Sequence, residues 1–138
     1  MFNIKNIAVL GAGAMGNGIA QVSAQAGYQV VMQDITEEAL QKGMNTIKNS
    51  LSKLASKGKI AAEEVDVILS RISTTLSLEE AAKDADLVIE AIPEVLELKL
   101  ETFKRLDEIC KPEAIFGSNT STLPITVLAS ATKRPQQV

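Results

Sequence analysis

The 138-residue sequence has no histidine, no tryptophan, one tyrosine, three phenylalanines and a single cysteine. Without histidine it lacks the side chain whose ordinary pKa best suits proton transfer at neutral pH. One cysteine, Cys110, excludes an internal disulfide and a cysteine-cluster metal site, so no metal is expected; near the end of an amphipathic helix it reads as a small, half-buried hydrophobe. Aromatics are 3% of the chain and apolar residues 46%, so the core must be aliphatic and alanine-rich, as in helix-on-sheet layers, and an all-β sandwich is disfavoured. Fourteen basic against seventeen acidic residues, a net charge of -3, argue against a nucleic-acid partner. The N-terminus "MFNIKNIAVLG" does not read as a secretory signal, and no apolar run approaches the ~18 residues that span a bilayer. A cytoplasmic protein with no membrane partner is expected.

What is present fits one domain over residues 1–138, a length that buries roughly two thirds of its unfolded surface. "NIAVLG" (6–11) and "YQVVMQD" (28–34) read as buried strands, and Met15, Ile19, Val22, Ser23 and Ala26 recur between them at helical spacing, with Gly27 as a left-handed C′ residue. From the N-cap Thr36, Leu40, Met44, Ile47, Leu51 and Leu54 mark one face of a long helix that stops near Gly58. A shorter helix through Val65, Ile68 and Leu69 leads into a third strand, "ISTTLS". "LEEAAKDA" reads as a small helix, and "DLVIEAI" as a fourth strand stopped by Pro93. "VLELKLETFKRLDEIC" is a helix with Leu96, Leu100, Phe103, Leu106 and Ile109 inward, "AIFGSNTS" a fifth strand and loop, and "PITVLASA" a helix opened by Pro124. Such alternation predicts an α/β fold of Rossmann type: a doubly wound parallel sheet with right-handed crossovers and a helical insertion after the second strand.

The segment "GAGAMG" carries the first chemical signal. Gly11 allows a tight turn, Gly13 lets a backbone approach a pyrophosphate, and Gly16 lets helix and strand pack closely, while the helix N-terminus offers unpaired N–H groups to phosphate. Alone, G-x-G-x-x-G is also the pattern of an ordinary turn. Its place between strand and helix, with Asp34 closing the second strand eighteen residues after Gly16, makes it a dinucleotide site. Asp34 suits adenosine ribose hydroxyls and repels a 2′-phosphate, and Ile35 and Thr36 bring no arginine, so NAD is favoured over NADP.

Three stretches, "GAGAMGNGIAQVSAQAGYQVVMQD", "DADLVIEAIPEVLELKLETFKRLD" and "IFGSNTSTLPITVLASATKRPQQV", in this order, resemble the N-terminal domain of the 3-hydroxyacyl-CoA dehydrogenases, the bacterial 3-hydroxybutyryl-CoA dehydrogenases included. The resemblance covers essentially the whole chain. It implies NAD as cofactor and reversible oxidation of an L-3-hydroxyacyl-CoA to the 3-ketoacyl-CoA, in fatty acid or butanoate metabolism. It implies that the backbone of Gly11, Ala12, Gly13, Ala14, Met15 and Gly16 holds the pyrophosphate and Asp34 the ribose. Ala91, Glu94 and Lys99 match family positions near the nicotinamide half, and Ser118 matches a serine that hydrogen-bonds near the nicotinamide and the substrate's 3-oxygen. Ser50 and Lys57 match positions that contact coenzyme A.

Each of these positions also has a plainer reading. Glu94 and Lys99 fit solvated residues at a helix start, and Ser118, Asn119, Thr120 and Ser121 fit turn and cap residues. Lys42, Lys48, Lys53, Lys57 and Lys59, with no acid between Glu38 and Glu63, fit a solvated face as well as a CoA phosphate contact. In the resembling family the base is a histidine oriented by a glutamate, both in a segment expected beyond Val138, as is a helical C-terminal domain that closes on the acyl chain and makes a homodimer. Glu90 and Glu94 flank a strand end without suggesting a substitute base. The 138 residues are therefore expected to bind NAD without turnover. Competing readings are a non-catalytic NAD-binding sensor or crystallin-like module, and a β-hydroxyacid dehydrogenase acting on a free acid.

Overall fold

The computed structural model describes residues 4–118 and 125–138. Five parallel strands, β1 (Asn6–Leu10), β2 (Gln29–Gln33), β3 (Ile72–Thr75), β4 (Leu87–Glu90) and β5 (Ile115–Ser118), lie in the order β3-β2-β1-β4-β5. They alternate with α1 (Ala14–Gln25), α2 (Glu37–Ser56) and α3 (Ala62–Ser70), then α4 (Leu78–Ala82), α5 (Leu96–Ile109), α6 (Ile125–Ala129) and a 3₁₀ turn at Pro135–Gln137. This is the doubly wound sheet expected, with α2 and α3 as the insertion between β2 and β3. Pro124 and Asn119 to Ser121 lie outside the described residues.

Period-two alternation divides the core. Ile7 and Val9 of β1 with Val30 and Met32 of β2 join Leu40, Ile47, Leu51 and Ile68 on the α1–α3 face, while Ala8 and Leu10 join Val88, Phe103, Leu106 and Leu128 on the other. Both faces of the sheet are covered, as a parallel sheet requires.

Helix ends follow their residues. The Thr36 hydroxyl accepts from the Ala39 N–H at 3.1 Å and opens α2. Gly27, at φ +103°, closes α1 with Gly27 N–H to Ala24 O and Tyr28 N–H to Ser23 O, a Schellman pair that also turns the chain into β2.

The buried face of α1 differs from expectation. Met15 and Val22 are exposed, and the buried positions are Gly16, Asn17, Ala20 and Ala24. α1 lies too close to the sheet for large side chains on that face. Gly16 sets the distance, because a Cβ there would stand 1.9 Å from the Gly11 carbonyl oxygen. Gly43, inside α2, makes a second close approach, with a Cβ position 2.7 Å from the Ala12 oxygen.

Two ionic contacts, one half-buried and one centred on a buried arginine, tie the β4–β5 side of the sheet. Asp86 accepts from the Lys5 and Asn6 N–H groups and pairs with Lys111. The buried Arg134 guanidinium bonds Asp107 at 2.7 Å and the Lys111 carbonyl at 2.6 Å, over the Phe116 ring, and so fastens the C-terminal segment to the end of α5. Cys110 is buried rather than half-buried, and burial pushes its thiol up to about 11.

Candidate functional site

The strand order reverses between β1 and β4, and their carboxyl ends open a cleft of 660 Å³. Such a switch point is where open α/β sheets take ligands. Gly11, Gly13, Ala14 and Met15 form one wall, Asp34 and Ile35 the β2 end, and Ala91, Ile92 and Glu94 the β4 end.

The glycine loop has its shape for three separable reasons. Gly11 adopts φ +105° and donates its N–H to the Gln33 carbonyl at 2.7 Å, and a Cβ on it would lie 2.5 Å from the Ala91 oxygen, so β4 closes directly on the turn. Gly16 packs on Gly11 as described. Gly13 differs: it is the N-cap of α1 at φ -69°, and a Cβ there would meet nothing within 4 Å. That position has no packing reason to be glycine and opens on the cleft. No side chain caps α1, so its opening N–H groups and the positive end of the helix dipole face the same space.

Asp34 is bound into the loop it serves. Its Oδ2 accepts the Ala12 N–H at 2.9 Å and its Oδ1 the Ile35 N–H at 2.7 Å. A carboxylate has about four acceptor positions, so two remain for hydroxyl donors in the cleft. These features fit a dinucleotide: open backbone at Gly13, uncapped N–H groups for a pyrophosphate and a carboxylate for a ribose.

On the β4 side lies a polar cluster whose centre is not apparent from the sequence. Glu90, the last residue of β4, is 0% exposed. Its Oε1 accepts from the Ser118 hydroxyl at 2.6 Å, its Oε2 from the Ile92 N–H at 2.8 Å, and the Lys99 ammonium lies 3.0 Å from each. Lys99, 1% exposed, also reaches Glu94 at 2.5 Å. Burial pulls the Lys99 pKa down, but the hydrogen bonds to Glu94 and Glu90 outweigh it and the net shift is upward, so the side chain stays charged. Lys99 is therefore not a solvated residue, whereas Glu94 stands at the cleft wall.

Ser118 is the last residue of β5, paired in register with Glu90, rather than a free turn residue. Ser50 sits on α2, half-buried, and accepts from the Gln21 amide at 3.0 Å. Lys57 is the exposed C-cap of α2. Neither lines the cleft. Among the described residues no cluster of His, Cys, Asp and Glu side chains could hold a metal ion, and no helix is long and apolar enough to cross a membrane.

Residues 6–138 match the family described as "3-hydroxyacyl-CoA dehydrogenase, NAD binding domain". The chain belongs to that family, and its cofactor is NAD. It is 51% identical over 135 residues to the "Probable 3-hydroxybutyryl-CoA dehydrogenase" of Bacillus subtilis (strain 168), covering 98% of this chain and 47% of the relative. It is 46% identical over 136 residues to the mitochondrial hydroxyacyl-coenzyme A dehydrogenase of Sus scrofa, covering 95% and 43%. The crystal structure of 3-hydroxybutyryl-CoA dehydrogenase from Escherichia coli K12 superposes with a TM-score of 0.94 at 40% identity, over 99% of this chain and 29% of that one. The chain thus spans less than half the length of these relatives.

Proposed function

We propose that this chain is the cofactor-binding part of an enzyme that interconverts L-3-hydroxyacyl-CoA and 3-ketoacyl-CoA by hydride transfer to and from NAD. The observation that carries the cofactor half is the pairing of the open Gly13 backbone with the anchored Asp34 carboxylate across one cleft. The names of the relatives support the acyl-CoA half.

NAD, when bound, accepts the hydride; the residues of this chain bind and orient it. The uncapped start of α1 faces the pyrophosphate, Asp34 the adenosine ribose, and Ala91, Glu94, Lys99 and Ser118 border the nicotinamide half. Neither carboxylate at the β4 end is free to act as a general base: Glu90 is sealed and ion-paired, and Glu94 is held by Lys99. The proton acceptor, the acyl-chain site and the homodimer contact belong, in this reading, to a further domain following residues 1–138. Ser50 and Lys57 on α2 take the CoA portion. The setting is cytoplasmic fatty acid or butanoate metabolism.

Two measurements test the reading. The 138-residue chain binds NAD in a calorimetric titration and forms no NADH from L-3-hydroxybutyryl-CoA. The same chain extended to the length of its relatives forms NADH from that substrate, and Lys57→Glu in it raises KM for the acyl-CoA without changing NAD affinity. An extended protein that binds NAD but ignores every 3-hydroxyacyl-CoA overturns the substrate assignment.

A further inference from the structure

The Ala12 carbonyl points toward α2, away from the cleft, and the reason lies outside the glycine loop. Its oxygen accepts from the buried Asn17 amide at 3.4 Å, and Gly43 of α2 faces it so closely that a Cβ there would stand 2.7 Å off. Ala12 itself is 3% exposed and belongs to the core on the α1–α3 face. In a planar trans peptide the C=O of one residue and the N–H of the next point in opposite directions. The Gly13 N–H is therefore turned away from α2, toward the cleft that Gly13 lines, and among the described residues no acceptor takes it.

Nothing within the loop fixes that direction. Gly13 tolerates many φ values and a Cβ on it would meet no atom within 4 Å, so rotation of the Ala12–Gly13 peptide meets little local resistance. The Asp34 carboxylate holds the Ala12 N–H, but that group belongs to the preceding peptide and stays in place under such a rotation. What fixes the direction is the surroundings of the Ala12 oxygen: one donor, Asn17, and one gap, left by the absent side chain of Gly43. α2 cannot back away from the loop, because Leu40, Ile47 and Leu51, on either side of Gly43, are at most 1% exposed in the core.

We infer that Gly43 and Asn17 are positioning residues for the cofactor, which together aim the Gly13 N–H at the pyrophosphate without touching it. The inserted helix α2 thereby supports the cofactor site although none of its residues lines the cleft. This rests on the reading above that the pyrophosphate lies at the start of α1, and it explains a glycine placed where a helix former would otherwise serve better.

The test compares two ligands on the 138-residue chain: ADP-ribose, which carries the pyrophosphate, and adenosine, which keeps the ribose for Asp34 and lacks the phosphates. Both are followed by amide NMR titration, which reads weak binding as well as tight. In wild type, ADP-ribose should move the Gly13 amide proton downfield, as a hydrogen bond to an anion does, and adenosine should not. Gly43→Ala presses a methyl on the Ala12 oxygen, so ADP-ribose affinity should fall about tenfold, the scale of one charge-assisted hydrogen bond, with the Gly13 shift reduced. Adenosine affinity should stay at the wild-type value. Asn17→Ala, which removes the donor, should act with the same selectivity and a severalfold loss.

Equal weakening of adenosine and ADP-ribose would mean that the substitutions loosen the loop as a whole, and that result overturns the inference. So does a Gly43→Ala chain that binds ADP-ribose like wild type with its Gly13 shift intact. If Gly43→Ala does not fold, Asn17→Ala decides: an unchanged ADP-ribose affinity overturns the proposal. A wild-type Gly13 amide that ignores bound ADP-ribose refutes the placement of the pyrophosphate on which the inference stands, a failure distinct from one seen in the variants alone.

Discussion

The Lys99 ammonium stands 3.0 Å from each carboxylate oxygen of Glu90, and neither side chain is more than 1% exposed. The pair joins the start of α5 to the end of β4 beneath the floor of the cleft. Removing one partner leaves the other charged in a dry site. Lys99→Met should therefore cost about 3–5 kcal/mol in urea unfolding, and adding Glu90→Gln should recover a large part of it. A loss below 1 kcal/mol would mean that water reaches Glu90. The pH sign follows from the raised Lys99 pKa. The pair's contribution is complete below the ordinary lysine value of 10.5 and declines as pH rises through the higher folded value, so the alkaline decline in stability should be shallower in Lys99→Met than in wild type.

The three loop glycines separate folding from binding. Gly16→Ala puts a methyl 1.9 Å from a backbone oxygen, and Gly11→Ala combines a clash at 2.5 Å with φ +105°, so both variants should lose several kcal/mol or fail to accumulate. Gly13→Ala meets nothing and has an ordinary φ, so its melting temperature should stay within a few degrees of wild type. Its NAD affinity should nevertheless fall by about tenfold or more, since the added methyl occupies cleft space that the pyrophosphate needs. Thermal melts and titration on the same samples check this, and a Gly13→Ala chain with unchanged affinity would place the pyrophosphate elsewhere.

How much of this was legible in the sequence depends on the range of the contact. Thr36, Gly27 and the glycine fingerprint act within a few residues of themselves, and each does what its spacing predicts. The buried face of α1 is not legible from hydrophobicity, which favours Met15 and Val22, whereas close helix–sheet packing favours Gly16, Ala20 and Ala24. Glu90 reads in the sequence as an ordinary strand-end acid, because its partners, Lys99 and Ser118, are nine and twenty-eight residues away. A signal was present: Lys99 shares the spacing of Leu96, Phe103 and Leu106, and a lysine on a buried face requires a buried acid. Gly43 also had a signal, since glycine inside a long helix costs about 1 kcal/mol and calls for a packing reason.

Acid stability should depend on Asp86. The hydrogen bond from Lys111, opposed by burial and aided by the Asn6 and Lys5 N–H groups, holds its carboxyl at about 2 against an ordinary 3.8. The carboxylate is favoured in the folded state, so its contribution is complete above the ordinary value and is lost as pH falls through about 2. Chemical denaturation between pH 5 and pH 2 should show a stability decline in wild type that is shallower in Asp86→Asn, with Lys111→Met behaving alike. Equal slopes in all three would assign the acid limb to other carboxylates.

Asp34 should decide between the two nicotinamide cofactors, and its double duty determines how. One oxygen holds the Ala12 N–H and the other the Ile35 N–H, which fixes the carboxylate at the cleft's β2 end. A ribose diol gains two acceptors there, whereas a 2′-phosphate meets a like charge, and Ile35 beside it is 85% exposed and offers no cation. Wild type should bind NADP at least about tenfold more weakly than NAD, because a charge-assisted hydrogen bond is exchanged for a repulsion. Asp34→Ala removes both the attraction and the repulsion, so the ratio should fall toward unity. It also releases the Ala12 N–H and loosens the loop, so NAD affinity should drop in absolute terms while NADP affinity changes little. Paired titrations separate the two effects: a ratio near unity already in wild type removes Asp34 from the ribose, and a preserved ratio in Asp34→Ala moves discrimination to another residue.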